Sequence, residues 1–166
     1  MRYLLLFVFM FFLSVVQTTV LGAIEIFGVI PNLLLTAVIC YAIIRGDFEG
    51  VIFGAVIGIF LDFLSGRMVG MNLILCTLVS FSCCSLYDAL FNNNPFVASV
   101  FVLLVSVVYE FLIYVFYFLF WGDANVWFAL IHKILPGAVY NALSAFLIYP
   151  VLKKICLFGA GRWEND

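Results

Sequence analysis

Apolar runs of roughly membrane-crossing length follow one another along this chain, separated only by short polar breaks, and that succession leaves few folds open. About 30 Å of hydrocarbon takes roughly 20 apolar residues to cross, at about 1.5 Å of rise per helical residue. The runs cover residues 3–21, 26–44, 50–64, 68–86, 96–121 and 126–152, which together are nearly the whole chain. A soluble domain is only about half apolar and needs polar residues to coat its surface. Here 67% of residues are hydrophobic, 10% are charged and the mean hydropathy is +1.29, so the excess apolar surface has no place but lipid. The expected fold is all-α, a polytopic membrane protein with a compact bundle of six transmembrane helices. Residues 1–166 form one transmembrane domain with no room for a soluble one.

The first run follows Arg2 and reads as a retained helix, because it is long and Gln17-Thr18-Thr19 is a poor small-residue cleavage site. Pro31 and Asn32 stand near the start of the second, where a proline in the first helical turn has no donor to lose. A polar turn, Arg45-Gly46-Asp47-Phe48-Glu49-Gly50, leads into the third, the shortest, which is the candidate for being tucked inside the bundle. The sixth contains Pro136 and ends near Pro150.

Lys and Arg in short loops set orientation. With six spans and an inside N-terminus, Arg2, Arg45, Lys153, Lys154 and Arg162 fall inside, and Arg67 and Lys133 outside. Both termini are therefore expected in the cytoplasm, with Trp121 and Trp127 bracketing an outer loop as interfacial aromatics do.

Charged groups within apolar spans are costly, so each is a candidate site. Asp62 lies near the outer end of the third span and Glu110 near the middle of the fifth. Asp62 also closes a pattern: Gly46, Gly50, Gly54, Gly58, Asp62, Gly66 and Gly70 recur at intervals of four. Each such step turns a helix by roughly 40°, so Gly50 to Asp62 winds over about a third of its circumference. A groove of that kind admits another backbone closely. It suits either a neighbouring helix of the same chain or a partner's helix. Asp62 suits a contact to the Ser65–Gly70 turn, the start of the next helix, where negative charge is favoured, or a partner or ligand. Glu110 reads as a buried carboxyl kept neutral or paired, Asn141 as a hydrogen-bonding contact to a neighbouring helix, and His132 as an interfacial histidine beside Lys133.

Several chemistries are excluded by composition. No CxxC pair or Cys/His cluster appears, and Cys40, Cys76, Cys83, Cys84 and Cys156 sit in or at the ends of apolar runs as small filler, so no metal or cofactor is expected. There is no basic run beyond Lys153-Lys154, which excludes nucleic acid. Paired aspartates could perform intramembrane proteolysis, but Asp62 and Asp88 should lie at opposite faces of the membrane. Asp62 is followed by Phe63, and neither the Gly-x-Gly-Asp of presenilin-type enzymes nor the Asn-x-x-Asp-Arg type motif of lipoprotein signal peptidases is present. No catalytic residue is assigned.

The stretch Gly54-Ala55-Val56-Ile57-Gly58-Ile59-Phe60-Leu61-Asp62-Phe63-Leu64-Ser65-Gly66, followed by Gly70-Met71-Asn72, resembles the signature of the rod shape-determining protein MreD family. Pro31-Asn32-Leu33-Leu34-Leu35 and the segment from Leu135-Pro136 to Tyr140-Asn141 are similar to that family's pattern too, as are the length and hydropathy. The resemblance implies a non-enzymatic scaffold of the bacterial plasma membrane, in the machinery that elongates the peptidoglycan wall. It implies as partners the bitopic protein MreC and, indirectly, the MreB filament and the wall synthases. On that reading, MreC's membrane helix is expected in the Gly50–Asp62 groove or on an outer lipid-exposed face. The alternative is a substrate-binding S-component of a vitamin (energy-coupling-factor) transporter. Those proteins are similar in size and topology, but they carry an Ala-xxx-Ala pair in a first helix that here reads Leu4-Leu5-Leu6-Phe7-Val8-Phe9-Met10-Phe11-Phe12.

Overall fold

The computed structural model of the chain describes residues 2–21, 29–65, 70–85, 94–121 and 126–160, and every element among them is a helix. Helix α1, Arg2–Val15, runs on into a π-helical turn, Val16–Leu21. Then come α2, Leu33–Arg45; α3, Phe48–Ser65; α4, Met71–Ser85; and α5, Pro95–Trp121. A short α6, Val126–Ala129, passes through a π-helical turn, Leu130–Ile134, into α7, Leu135–Ala160. Four stretches are long and apolar enough to cross a membrane: Arg2–Thr19, Phe48–Ser65, Pro95–Phe116 and Leu130–Leu157. Helices α2 and α4 are apolar but shorter, with 13 and 15 residues. They reach only about 20 and 22 Å.

Helix α2 is the hub. Every residue from Leu33 to Ile43 is buried, and the helix touches α1, α3, α4, α5 and α7. A helix apolar all round is stable only where its whole circumference is covered, and Leu-Leu-Leu-Thr-Ala-Val-Ile-Cys-Tyr-Ala-Ile-Ile meets that condition here. The enclosed member of the second hairpin is thus α2 and not, as expected, the third span. Helix α3 begins at Phe48 and runs to Ser65, 18 residues, and turns Ile52, Val56, Phe60 and Phe63 outward. Among the described residues many large apolar side chains face outward, with Phe63 80% and Leu147 71% exposed. A surface of this kind is stable against hydrocarbon and would aggregate in water.

Several boundaries differ from expectation for local reasons. Helix α2 starts at Leu33 because Asn32 caps it, its side chain accepting from Leu35 N–H at 3.0 Å. Pro31 therefore stands one residue before the cap and not in the first turn; residues 26–28 lie outside the described residues. The proline-first arrangement occurs instead at α5, where Pro95 is the first residue and the Asn94 side chain accepts from Phe96 N–H at 3.0 Å. Helix α7 continues through Pro150 to Ala160, well past the expected end at 152. At Pro136 the missing N–H and the ring's clash with the carbonyl four residues back disturb the ladder. The chain answers with the π-helical turn before it, where Leu135 N–H donates to Leu130 O.

Two contacts fix the direction of α7 against α2. Asn32 N–H donates to Asn141 Oδ1 and Ser144 Oγ donates to Thr36 Oγ1, at separations of 109 and 108 residues. A near-constant offset means parallel helices, which brings Lys153 level with Arg45. Helix α1 packs on α7 and α2 through Leu6, Met10 and Leu13, at three-to-four spacing.

Enclosure of α2 makes a direct test. Ala37 is fully buried and Leu147 is mostly exposed. Ala37→Leu is expected to destabilise by about 1–3 kcal/mol through overpacking. Leu147→Phe should stay within about 0.5 kcal/mol. Thermal unfolding in one detergent checks both.

Candidate functional site

Asp62, 5% exposed, sits on α3 where α4 begins. The first N–H groups of a helix have no partner within it, and one carboxylate serves three of those at α4. Asp62 Oδ2 accepts from Gly70 N at 2.9 Å and Leu73 N at 3.1 Å, and Oδ1 accepts from Asn72 N at 2.9 Å. Asn72 Nδ2 adds a fourth bond to Oδ1 at 3.0 Å. Gly70 has φ +92°, a conformation that suits glycine. The bonds continue through Asn72, whose Oδ1 accepts from the Tyr109 hydroxyl of α5 at 2.6 Å. Tyr109 is fully buried, and the Cys76 thiol reaches its oxygen at 3.9 Å. Asp62, Asn72 and Tyr109 therefore join α3, α4 and α5. Four hydrogen bonds occupy the roughly four lone-pair sites of a carboxylate.

The start of α2 repeats the arrangement with neutral groups. Asn32 N–H donates to Asn141 Oδ1 at 2.7 Å, Leu34 N–H to Gln17 Oε1 at 3.2 Å, and Leu35 N–H to Asn32 Oδ1 at 3.0 Å. Asn141, 1% exposed, also donates from Nδ2 to Ser106 Oγ of α5 at 3.2 Å. In both helices the cap residue and the second and third helical residues are the ones served by side-chain oxygens from elsewhere in the fold or from the cap itself. Asn141 was expected to bond a neighbouring helix and here meets two. Gln17, Ser106, Asn72 and Tyr109 were not singled out from sequence. Asn72 lies in the motif that carries the family resemblance, whereas Ser106 gives no local signal.

The glycines at intervals of four divide into three uses. Gly46, with φ 62°, closes α2 in the left-handed conformation, its N–H donating to Ala42 O at 3.0 Å. Gly50, Gly54 and Gly58 stand on α3 and face α4. A methyl group at Gly58 would lie 2.7 Å from the Asn72 carbonyl oxygen and Leu73 Cα. At Gly54 it would lie 2.9 Å from the Cys76 carbonyl oxygen and collide with the Ser80 hydroxyl. At Gly50 it would meet Cys84 Sγ at 2.8 Å and Ala42 Cα at 3.2 Å. Gly70 belongs to the start of α4, and Gly66 lies outside the described residues. The groove is thus filled by α4 of the same chain, and a partner's helix has no room in it. A leucine at 54 or 58 would dislodge α4, so lost partner binding by that variant would report a broken bundle.

At the opposite end a cluster ties three elements. Arg2 Nη2 donates to both Glu49 carboxylate oxygens, at 3.0 and 2.9 Å, and the Tyr3 hydroxyl donates to Oε1 at 3.0 Å. Arg45 adds Nε at 3.1 Å and Nη2 at 2.8 Å from Glu49 Oε2, and pairs with Asp47 at 3.6 Å. The start of α1, the end of α2 and the start of α3 are pinned together. The short run of polar residues from Arg45 to Glu49 gave the turn but not the link to Arg2, which is 47 residues away.

Glu110 is half-buried on α5 and makes no hydrogen bond or ion pair with any described residue. Of the two alternatives its position suggested, neutral or paired, a pair is not found among the described residues. His132 stacks on Phe128, with ring centroids 4.2 Å apart. Asp88 and Arg67, and the side chains of Trp121 and Trp127, lie outside the described residues. Among the described residues no three His, Cys, Asp or Glu side chains cluster as a metal site would need.

Two stability tests follow from this geometry. Asp62→Ala leaves several buried donors unpaired and should cost at least about 2 kcal/mol, with Asp62→Asn losing less because one acceptor oxygen remains. Gly58→Ala presses on backbone and should cost about 1–3 kcal/mol. Gly50→Ala should cost less, because a thiol can rotate away and alanine is the better helix former by up to about 1 kcal/mol. Midpoints of thermal unfolding in a single detergent rank the four variants.

Neither a curated relative nor a solved structure matches the chain significantly. The model of one protein family, described as rod shape-determining protein MreD, matches residues 1–158. That match takes in α1 to α7, with Asp62, the α3 glycines and Asn141, and the chain belongs to the MreD family of rod shape-determining proteins.

Proposed function

We propose that this chain is an integral scaffold of the bacterial plasma membrane that maintains rod shape by binding MreC and so linking the MreB cytoskeleton to peptidoglycan synthesis. The family match over residues 1–158 carries the reading. In this arrangement α1 to α5 and α7 all lie in the bilayer, four crossing it by themselves and the short α2 and α4 held within the bundle. Both termini are cytoplasmic, which puts Arg2, Arg45 and Lys153 at the cytoplasmic end, as the distribution of positive charge favours.

A scaffold role agrees with the site geometry. Asp62, Asn72 and Asn141 are spent on helix starts and interhelical bonds, and the Gly50–Gly58 face is closed by α4. A partner therefore has to be met on the outer apolar surface or at the exposed ends. A single-span protein such as MreC suits such a surface, where association comes from close packing and a few hydrogen bonds.

Replacement of the endogenous copy in a rod-shaped bacterium tests the reading. Depletion is expected to round the cells, and re-expression of this chain to restore rods and recover MreC on affinity purification from solubilised membranes. Rounded cells despite normal membrane levels, or no recovery of MreC with the wild-type chain, would overturn it.

A further inference from the structure

Glu110 lies midway along the 27 residues of α5. The polar groups near it on that helix and its neighbours are matched: Asp62 with Asn72, Asn72 with Tyr109, Asn141 with Ser106. Ser80 Oγ lacks a partner but is sealed inside the protein. Glu110 differs from both cases, being unmatched by any described residue and reachable from outside. A carboxyl in hydrocarbon without a hydrogen-bond donor is costly, so its persistence at a reachable position calls for a donor from outside the chain.

The surrounding pattern says what shape brings that donor. From Glu110, alternate steps of three and four lead to Val107, Leu103, Val100 and Phe96, and one step of four leads to Tyr114; none of these is buried. That spacing is the one by which a helix faces a single partner helix. The inward stripe of α5, through Ala98, Val102, Ser106 and Tyr109, adjoins this half-exposed outward stripe, Ser106 standing one step of four before Glu110. A shallow apolar groove runs beside the outward stripe, lined by Phe96, Val97, Val100, Phe101 and Leu104.

We infer that the outward stripe of α5 docks one transmembrane helix of a second protein, apolar along its length and carrying a strong hydrogen-bond donor such as Asn, Gln, Lys or Arg level with Glu110. This rests on the reading above that the chain spans the bilayer and binds a single-span partner, and it names the surface used. The Glu110 carboxyl supplies register and the apolar stripe supplies contact, as in other intramembrane pairs held by small numbers of polar bonds.

The test uses the full chain in phospholipid nanodiscs, with fluorescence energy transfer to synthetic polyleucine transmembrane peptides. One peptide has a central Asn and the other is all leucine. The Asn peptide is expected to bind the wild type and Glu110→Gln, and to bind Glu110→Ala about tenfold more weakly. The all-leucine peptide should bind weakly and not distinguish the three. Thermal unfolding of Glu110→Ala should match the wild type, since the side chain has no described partner to lose. Equal binding of the Asn peptide to wild type and Glu110→Ala would overturn the inference. So would equal binding of the two peptides, or Glu110-dependent energy transfer between two labelled copies of the chain, which would make a second copy the occupant. Recovery of MreC separates the two proposals. If wild type and Glu110→Ala recover it equally, the docking surface is wrong and the scaffold role stands. If the wild type recovers none, the scaffold role fails while the peptide assay still reads this stripe.

Discussion

Two helices in this protein begin in the interior, and meeting their first N–H groups organises much of what surrounds them. Helices α2 and α4 have 13 and 15 residues, too few to reach both faces of a bilayer. Their starts lie among other helices, and a buried backbone group left unmet is costly, by several kcal/mol in hydrocarbon. Side chains take that place: Asp62 of α3 for α4, and Gln17 and Asn141 with the cap residue Asn32 for α2. Each cap also crosses between helices, so the groups that complete a helix end are the groups that hold neighbours in register.

Close packing of small residues joins α3 to α4; helices in lipid gain little from burial of apolar surface and associate mainly through such packing. Gly50, Gly54 and Gly58 let α4 approach α3 until backbone atoms meet where side chains would otherwise stand. Small residues at Ala37 and Ala42 let neighbours close around α2. The result is a bundle with its glycine face sealed internally, which moves any partner to the outside.

The two ends of the molecule are tied differently. One has the Arg2–Glu49–Arg45 cluster, joining the start of α1 to the α2–α3 turn. Toward the other lie the carboxylate and amide caps of α4 and α2, the start of each helix lying opposite the end that enters or leaves this cluster. Polar ties at both levels hold the helices in a fixed geometry.

Sequence by itself determined the helical class, the approximate spans and the family, since apolar runs of this length admit helices in lipid and the Gly-Asp stretch is local. It also pointed to Asp62 and Asn141, because polar residues in such runs are few and each needs a reason. It could not decide which helix is central: nearly every run is apolar all round, so periodicity does not tell a buried face from a lipid-facing one. Only tertiary structure showed α2 enclosed and α3 at the surface, α4 lying in the glycine groove, and Arg2 reaching Glu49 across 47 residues. Glycines at intervals of four look alike in the chain, yet Gly46 ends a helix, Gly58 admits a backbone and Gly70 starts the next helix. Those differences arise from what each glycine meets in space, and spacing along a chain carries no record of that.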